Sequence, residues 1–120
     1  MNEMQQRLRD WGLDVFIWTS TGDVTPAWEC REHAGCHAWE DTVLLESVDP
    51  AGTSAVADGE VGELVATALD NPVTPLIRFR SDDLIRATWK PCACGRNHAR
   101  FWPVGRKGDE TVIEGKSLVP

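Results

Sequence analysis

The chain has 120 residues and a formal net charge of −7, from 19 acidic and 12 basic residues. A chain of this length buries about two thirds of its unfolded surface in one folded unit. Its acidic residues are spread along the sequence, which argues against the clustered Lys and Arg of a nucleic-acid surface. No run approaches the ~20 apolar residues that span a bilayer, and residues 1–6 do not resemble a signal peptide. We therefore expect a cytoplasmic protein that binds neither nucleic acid nor a membrane.

The predicted elements begin with one short helix and continue mainly as strands. Met4, Leu8 and Trp11 recur at helical spacing until Gly12, and the β-branched and aromatic residues 13–18 predict a strand. Further strands are predicted at 42–48, 62–69, 99–104 and from 111, with turns at 49–52, 70–75 and 105–110. This order predicts an α+β fold class that is mainly antiparallel β, with a barrel-like or sandwich-like sheet after one helix and strand.

Residues 75–89 are predicted to form a β-hairpin with an acidic tip. Residues 76–80 alternate at period two, Asp82 and Asp83 interrupt the pattern, and residues 84–89 resume it. The expected tip is therefore the pair of adjacent carboxylates.

These carboxylates leave two interpretations open. They could pair with Arg78, Arg80 and Arg86 in an exposed tip that contributes little stability, or one could bind a polyhydroxyl ligand. Strand alternation places Asp82 and Asp83 on opposite faces, so at most one of them serves a site.

Two groups of thiols predict a zinc site. Zinc prefers four tetrahedral N and S ligands, commonly supplied as two pairs on separate turns, and in a reducing compartment metal is more common than disulfide. Cys92 and Cys94 would form one pair, and the second would come from a distant group that meets them if the strand at 42–48 and the hairpin share a sheet. Free thiols without metal are the alternative. The members of the distant group are Cys30, His33, Cys36 and His37.

Four motifs follow one another in the second half of the chain. They are Gly-Glu-Leu-Val-x-Thr-x-Leu at 62–69, Pro-Leu-Ile-Arg-Phe-Arg-Ser-Asp-Asp-Leu at 75–84, Pro-Cys-Ala-Cys-Gly-Arg-x-His at 91–98, and Gly-Arg-x-Gly-Asp at 105–109 followed by Val-Ile-Glu-Gly-Lys-Ser-Leu-Val-Pro. Together with residues 29–41, they resemble the phenylacetate–CoA ligase family of AMP-forming adenylating enzymes. The resemblance covers residues 12–120 and implies a fragment from the late part of that family's large N-terminal domain.

The resemblance implies a nucleotide site. Arg-Phe-Arg-Ser-Asp-Asp is similar to the family's Arg-Tyr-Arg-Thr-Gly-Asp motif, which places Asp83 on the ribose hydroxyls of ATP or the acyl-adenylate; two carboxylate oxygens suit a vicinal diol. Arg106 matches the arginine of the family's Gly-Arg-x-Asp-Asp hinge, near ribose and phosphate, and Gly108 replaces the hinge aspartate. The loop at 19–23 falls on the family's Tyr-Gly-x-Thr-Glu motif, so Asp23 is the counterpart of its magnesium-binding acid.

The resemblance also implies the zinc ligands. In the zinc-containing branch of the family, the ligands of a structural site correspond to Cys30, His37, Cys92 and Cys94. The alternates are His33, Cys36 and His98.

The function implied by the resemblance is that of an AMP-dependent acid–CoA ligase. The parent reaction converts a carboxylic acid, ATP and CoA into acyl-CoA, AMP and diphosphate; the implied ligands are ATP or AMP, magnesium and an aromatic or aryl-acetic acid. The family's phosphate loop and catalytic lysine are not found in this sequence. We therefore expect a truncated or split fragment that is inactive alone and could combine with complementary ligase fragments.

The implied division of the chain has three parts: residues 1–24 end an α/β subdomain, 25–104 form a zinc-bearing β subdomain, and 105–120 form a hinge and the start of another domain.

The alternative hypothesis is a non-catalytic, zinc-stabilised β module that binds a protein partner. Six tryptophans favour such an interface, because Trp is enriched in protein–protein contacts.

Overall fold

The structure, a computed structural model, describes residues 3–22, 24–109, 111–113 and 116–118. Within these ranges it contains one helix and a series of short strands. They are α1 (Glu3–Asp10), β1 (Trp18–Thr19), β2 (Ala27–Glu29), β3 (Cys36–Ala38), β4 (Val43–Val48), β5 (Val61–Ala68), β6 (Phe79–Thr88), β7 (Arg100–Arg106), β8 (Thr111–Ile113) and β9 (Lys116–Leu118).

Seven of the strands form one sheet, in the order β1-β2-β3-β7-β6-β5-β4, and β8 pairs separately with β9. Every pairing is antiparallel. The predicted fold class, mainly antiparallel β with one short helix, is therefore confirmed. Among the described residues, no helix has the length and apolar character needed to cross a membrane.

Several predicted elements are found close to their expected places. Helix α1 ends at Asp10, and Gly12 adopts φ 81°, the left-handed conformation that ends a helix most easily with glycine. Strands β4, β5 and β7 correspond to the strands predicted at 42–48, 62–69 and 99–104.

The strand predicted at 13–18 is wrong for most of its length, since only Trp18 and Thr19 pair with β2. Just before them, the amide of Ile17 donates to the side-chain Oε2 of Glu29 at 3.0 Å, and its carbonyl accepts from the amide of Glu29 at 2.9 Å. The Glu29 carboxylate thus accepts the hydrogen bond that a backbone carbonyl would accept in a regular β-ladder.

The predicted hairpin at 75–89 is also wrong. Residues Phe79–Thr88 form a single strand of ten residues, β6. Asp82 and Asp83 lie within this strand, between β5 and β7, and do not form a turn. The turn predicted at 105–110 begins later, because β7 continues to Arg106.

The arginines near the acidic pair bind other partners. Arg78 Nε and Nη2 donate to the two carboxylate oxygens of Glu46, each at 3.1 Å. Arg86 donates to the carbonyl of Gly59. The salt-bridged acidic tip expected with Arg78, Arg80 and Arg86 is therefore not formed.

Arg80 instead belongs to an ionic network around the buried Glu63. The Glu63 side chain has no exposed surface, and its Oε2 accepts from Arg80 Nε at 3.1 Å and from Arg80 Nη2. Lys107 Nζ lies 3.5 Å from the same oxygen. The hydrogen bonds from Arg80 are the main cause that holds the pKa of Glu63 below its ordinary value.

Among the described residues, a hydrophobic core cluster lies on one face of the sheet. Its residues come from six neighbouring strands, so the core follows the sheet from β2 to β4. They are Ala27, Cys36, Ala38, Val43, Leu45, Leu64, Ala66, Ile85, Ala87 and Phe101.

We expect Ile85→Ala to lower the free energy of unfolding by about 2–5 kcal/mol, because Ile85 is 1% exposed and its truncation leaves a cavity. Leu44→Ala, in the same sheet but 51% exposed, should cost less than about 1 kcal/mol. Urea unfolding followed by circular dichroism measures both. Equal losses would contradict this position of the core.

Glu63 should make stability depend on pH. Its folded-state pKa lies below the ordinary value of 4.5, so its contribution is complete above that pH and is lost as pH falls through the folded pKa. Arg80 and Lys107 are the cations that face it, and hydrogen bonding to Glu63 is the main cause that raises the pKa of Arg80, which therefore stays charged. We expect Glu63→Gln to be less stable than the parent at about pH 7, with a difference that shrinks toward about pH 3. A difference that stays constant in urea midpoints would show that the charge of Glu63 contributes nothing.

Candidate metal and nucleotide sites

The four residues predicted as metal ligands meet at one place in the structure. The Sγ atoms of Cys30, Cys92 and Cys94 and a ring nitrogen of His37 all lie within 4.8 Å of one another. Cys30 Sγ is 3.8 Å from Cys92 Sγ, and Cys94 Sγ is 3.6 Å from His37 Nε2.

Strand pairing brings these residues together. Cys30 follows β2 and His37 lies on β3, whereas both other thiols lie on the turn between β6 and β7. Because β3 pairs with β7, with His37 opposite Arg100, β3 lies beside the start of β7, and Cys30 and His37 come close to the turn that precedes β7. The strand at 42–48, on which this meeting was expected to depend, is β4 and lies at the opposite edge.

The β6–β7 turn presents its two thiols through backbone hydrogen bonds. The amide of Cys92 donates to the carbonyl of Arg96 at 3.0 Å, and the amide of Gly95 donates to the carbonyl of Cys92 at 3.0 Å. Gly95 has φ 91°, which glycine adopts without a steric cost. A hydrogen bond from the backbone of Cys94 is the main cause that lowers the pKa of Cys92, so the turn favours a thiolate.

Two of the six ligand–ligand distances match those of a tetrahedral zinc site. Bonds of about 2.3 Å to sulfur and about 2.05 Å to nitrogen give tetrahedral edges of about 3.8 Å between two sulfurs and about 3.6 Å between sulfur and nitrogen. Those are the separations of Cys30 from Cys92 and of Cys94 from His37. A set of three cysteines and one histidine is also a common structural zinc site.

Burial supports the same chemistry. His37 is 2% exposed, and burial is the main cause that lowers its pKa, so a neutral imidazole can offer the Nε2 lone pair. Burial raises the pKa of Cys30 because a lone thiolate is costly to bury. A bound cation would remove that cost, and the residues present therefore fit zinc.

The three alternate ligands lie outside this cluster. Cys36 is in the core with its Sγ 3.9 Å from the carbonyl of Ile17, and burial raises its pKa to about 12. His33 Nε2 lies 3.2 Å from Asp14 Oδ1. His98 Nδ1 lies 3.2 Å from a backbone carbonyl of β3.

Two of the predicted nucleotide ligands are also adjacent. Asp83 on β6 is directly opposite Arg106 on β7, and Arg106 Nε lies 3.5 Å from Asp83 Oδ1. The hydroxyl of Thr21 donates to Asp83 Oδ2 at 2.9 Å. Asp23, the predicted magnesium ligand two residues further on, lies outside the described residues.

A cavity of about 310 Å³ opens beside Asp83. The loop residues 19–21 line one side with hydroxyl groups, whereas Leu64, Ile85 and Phe101 provide an apolar wall. This volume is near the lower end of the ~300–1,000 Å³ typical of ligand sites. An apolar wall next to a carboxylate suits a ligand that joins a flat ring to a hydroxyl-bearing group.

Sequence reasoning missed two residues near this site. Thr21 was included only in a loop, and nothing in its local pattern indicates that its hydroxyl binds Asp83, 62 positions away. Glu63 gave a clearer signal, because it is an acid within the otherwise apolar strand β5. A buried charge in such a strand needs a partner of opposite charge, which Arg80 supplies.

Sequence comparisons find similar curated proteins. The chain is 42% identical to phenylacetate-coenzyme A ligase of Thermus thermophilus over 94 residues, 77% of this chain and 21% of that protein. It is 34% identical to the phenylacetate-coenzyme A ligase of Escherichia coli over 119 residues, 98% of this chain and 27% of that protein. No protein-family model matches. The chain thus spans about a quarter of the length of these relatives.

Structure comparisons give a related result. A 2-hydroxyisobutyryl-CoA ligase in the postadenylation state, bound to 2-HIB-AMP, matches 97% of this chain with 26% of its own, at 28% identity and a TM-score of 0.83. The same ligase with 2-HIB-AMP and CoA in its thioesterification state matches with a TM-score of 0.73. From the shared sequence and the shared fold, we conclude that the chain belongs to the phenylacetate–CoA ligase family of AMP-forming enzymes, as a segment of about a quarter of its relatives' length.

Proposed function

We propose that this chain is part of an AMP-forming acid–CoA ligase, in which it contributes a structural zinc site and one side of the adenylate pocket. The observation that carries the proposal is the group formed by Asp83, Arg106 and Thr21 beside the 310 Å³ cavity. A ligase of the same fold binds an acyl-adenylate.

Asp83 would bind the ribose of the nucleotide. Its carboxylate has two acceptor oxygens, and the vicinal hydroxyls of a ribose offer two donors at matching spacing. Thr21 and Arg106 hold this carboxylate from two sides. The side chain of Arg106 is 61% exposed, so its other N–H groups are accessible to solvent. They could donate to a ribose or phosphate oxygen.

The zinc ion would have a structural role. Cys30, His37, Cys92 and Cys94 would occupy all four positions of a tetrahedral site, so no position remains for a substrate. When bound, the ion links the β2–β3 connection to the β6–β7 turn and contributes its binding energy to folding.

The proposed parent reaction has two steps. The carboxylate of an acid attacks the α-phosphate of ATP to give an acyl-adenylate and diphosphate, and the thiol of CoA then displaces AMP to give the acyl-CoA. The relatives' name favours an aromatic or aryl-acetic acid as substrate. Asp23 would help to hold the magnesium ion that accompanies ATP, because carboxylate oxygens are preferred magnesium ligands.

This chain would supply only part of that chemistry. Adenylation requires clamping of the phosphates and stabilisation of charge on the transferring group, and the described side chains around Asp83 include Arg106 as the one nearby cation. The remaining groups would come from complementary parts of the ligase. We therefore propose that the chain binds AMP but does not form acyl-adenylate by itself.

We expect the purified chain to carry one zinc ion in native mass spectrometry. Cys92→Ser should lose the ion, because a hydroxyl does not replace a thiolate ligand. Cys36→Ser is the matched control, since its thiol lies in the core outside the cluster, and it should keep the ion. A parent chain without metal, or loss of zinc from a folded Cys36→Ser chain, would contradict the proposed ligand set.

We expect AMP binding by isothermal titration calorimetry, and Asp83→Ala should weaken it about tenfold or more, because charged hydrogen bonds to ribose are lost. Asp70→Ala, in the exposed loop between β5 and β6, is the control and should leave affinity unchanged. 2′-Deoxy-AMP provides a further control. It should bind the parent more weakly than AMP, whereas Asp83→Ala should no longer distinguish the two ligands.

If a folded, zinc-loaded chain does not bind AMP, the proposed nucleotide site is wrong. The chain would then be better described as the non-catalytic zinc-stabilised module considered from the sequence.

A further inference from the structure

The pairing of β5 with β6 is interrupted next to the proposed ribose ligand. Glu63 is opposite Leu84, and the next pair along the ladder is Val65 with Arg80. The three intervening residues of β6 therefore lie opposite a single intervening residue of β5, which makes a bulge in β6. Asp82, the middle residue of the bulge, has φ 62° and is left-handed.

Glu63 and Lys107 bind both backbone polar groups of this left-handed residue. The amide of Asp82 donates to Glu63 Oε1 at 3.4 Å. The carbonyl of Asp82 accepts from the amide of Lys107 at 2.6 Å. Since Lys107 Nζ also lies 3.5 Å from Glu63 Oε2, the two residues enclose the bulge.

Arg80 keeps the Glu63 carboxylate in place. Its Nε donates to Glu63 Oε2 at 3.1 Å, while Nη1 donates to the carbonyl of Gly52 at 2.6 Å and Nη2 to that of Asp49 at 3.1 Å. The turn between β4 and β5 therefore fixes the side chain of Arg80, and Arg80 fixes the carboxylate of Glu63. A buried carboxylate with this many partners has little freedom to move.

The bulge determines the direction of the Asp83 side chain. The amide of Asp83 donates to Ser81 Oγ at 3.2 Å, and Ser81 Oγ donates to the carbonyl of Leu64 at 3.0 Å. The amide of Asp83 thus bonds across the left-handed residue. Its carboxylate is directed to Thr21 and to the cavity.

We propose that Glu63 is a positioning residue for nucleotide binding: by holding Asp82 in the left-handed conformation, it sets the direction of the Asp83 carboxylate. Glu63 has no exposed surface and does not line the cavity, so it acts through the backbone of Asp82. The inference rests on the proposed function, because it assigns Glu63 a role in the same site.

The test uses Glu63→Gln in the 120-residue chain, with Glu46→Gln as matched control, since Glu46 also binds an arginine but lies on β4, which β5 separates from the bulge in β6. AMP affinity is measured by calorimetry, zinc by native mass spectrometry, and the sign of φ at Asp82 by its one-bond Cα–Hα coupling in NMR. We expect Glu63→Gln to keep zinc, to lose the positive φ and to weaken AMP binding about tenfold. Glu46→Gln should change none of the three.

A rescue variant separates positioning from general stability. Glycine adopts positive φ without a side-chain penalty, so adding Asp82→Gly to Glu63→Gln should restore AMP affinity to within about threefold of the parent. Asp82→Val provides the opposite change: it keeps the buried ion pair but disfavours the left-handed conformation, and it should weaken AMP binding.

The outcomes distinguish this inference from the proposed function. If Glu63→Gln keeps a positive φ at Asp82, or the rescue variant binds no better than Glu63→Gln, Glu63 does not position Asp83. If the parent binds no AMP, the proposed function fails. The coupling at Asp82 then still decides whether Glu63 holds the bulge, since a positive φ retained in Glu63→Gln overturns that role and its loss supports it.

Discussion

The pairing of β3 with β7 is the interaction on which the rest of the structure depends. It joins the β1–β2–β3 group to the β7–β6–β5–β4 group, and it consists of only two residue pairs, Cys36 with Phe101 and His37 with Arg100. The paired residues are more than sixty positions apart, so closing this loop is costly in entropy. A metal ion bound between the β2–β3 connection and the β6–β7 turn would cross-link the two groups of strands beside this short pairing.

Strands β6 and β7 connect the two candidate sites. Cys92 and Cys94 lie on the turn that joins these strands, whereas Asp83 and Arg106 face each other near the open end of the pair. An interaction that fixes the β6–β7 turn also fixes the register of these two strands. In this way a structural metal could support a nucleotide pocket without contacting a nucleotide, and the buried Glu63 supports the same pocket from β5.

Local patterns were sufficient for the parts of the fold that are regular in sequence. The apolar spacing of α1 and the strands β4, β5 and β7 could all be predicted. Strands β2 and β3 could not, because each has three residues and is defined by its neighbours more than by its composition. They were seen only as a stretch rich in cysteine and histidine.

The errors around β6 have the same origin. The sequence breaks its alternation at Asp82, and a break of this kind indicates a turn as readily as a bulge. Only contacts with distant residues distinguish the two, here the carboxylate of Glu63 and the amide of Lys107. The proposed ligand residues were inferred through family motifs, whereas Thr21, which has no motif of its own, was not.

Helix α1 has a consequence for how the protein unfolds. None of its residues is buried, and a helix shorter than ~12–15 residues is marginal in water when it lacks tertiary packing. The Nη2 of Arg9 links it to the carbonyl of Val15 and to His33, at 3.0 Å each. We therefore expect α1 to open and close while the sheet remains folded.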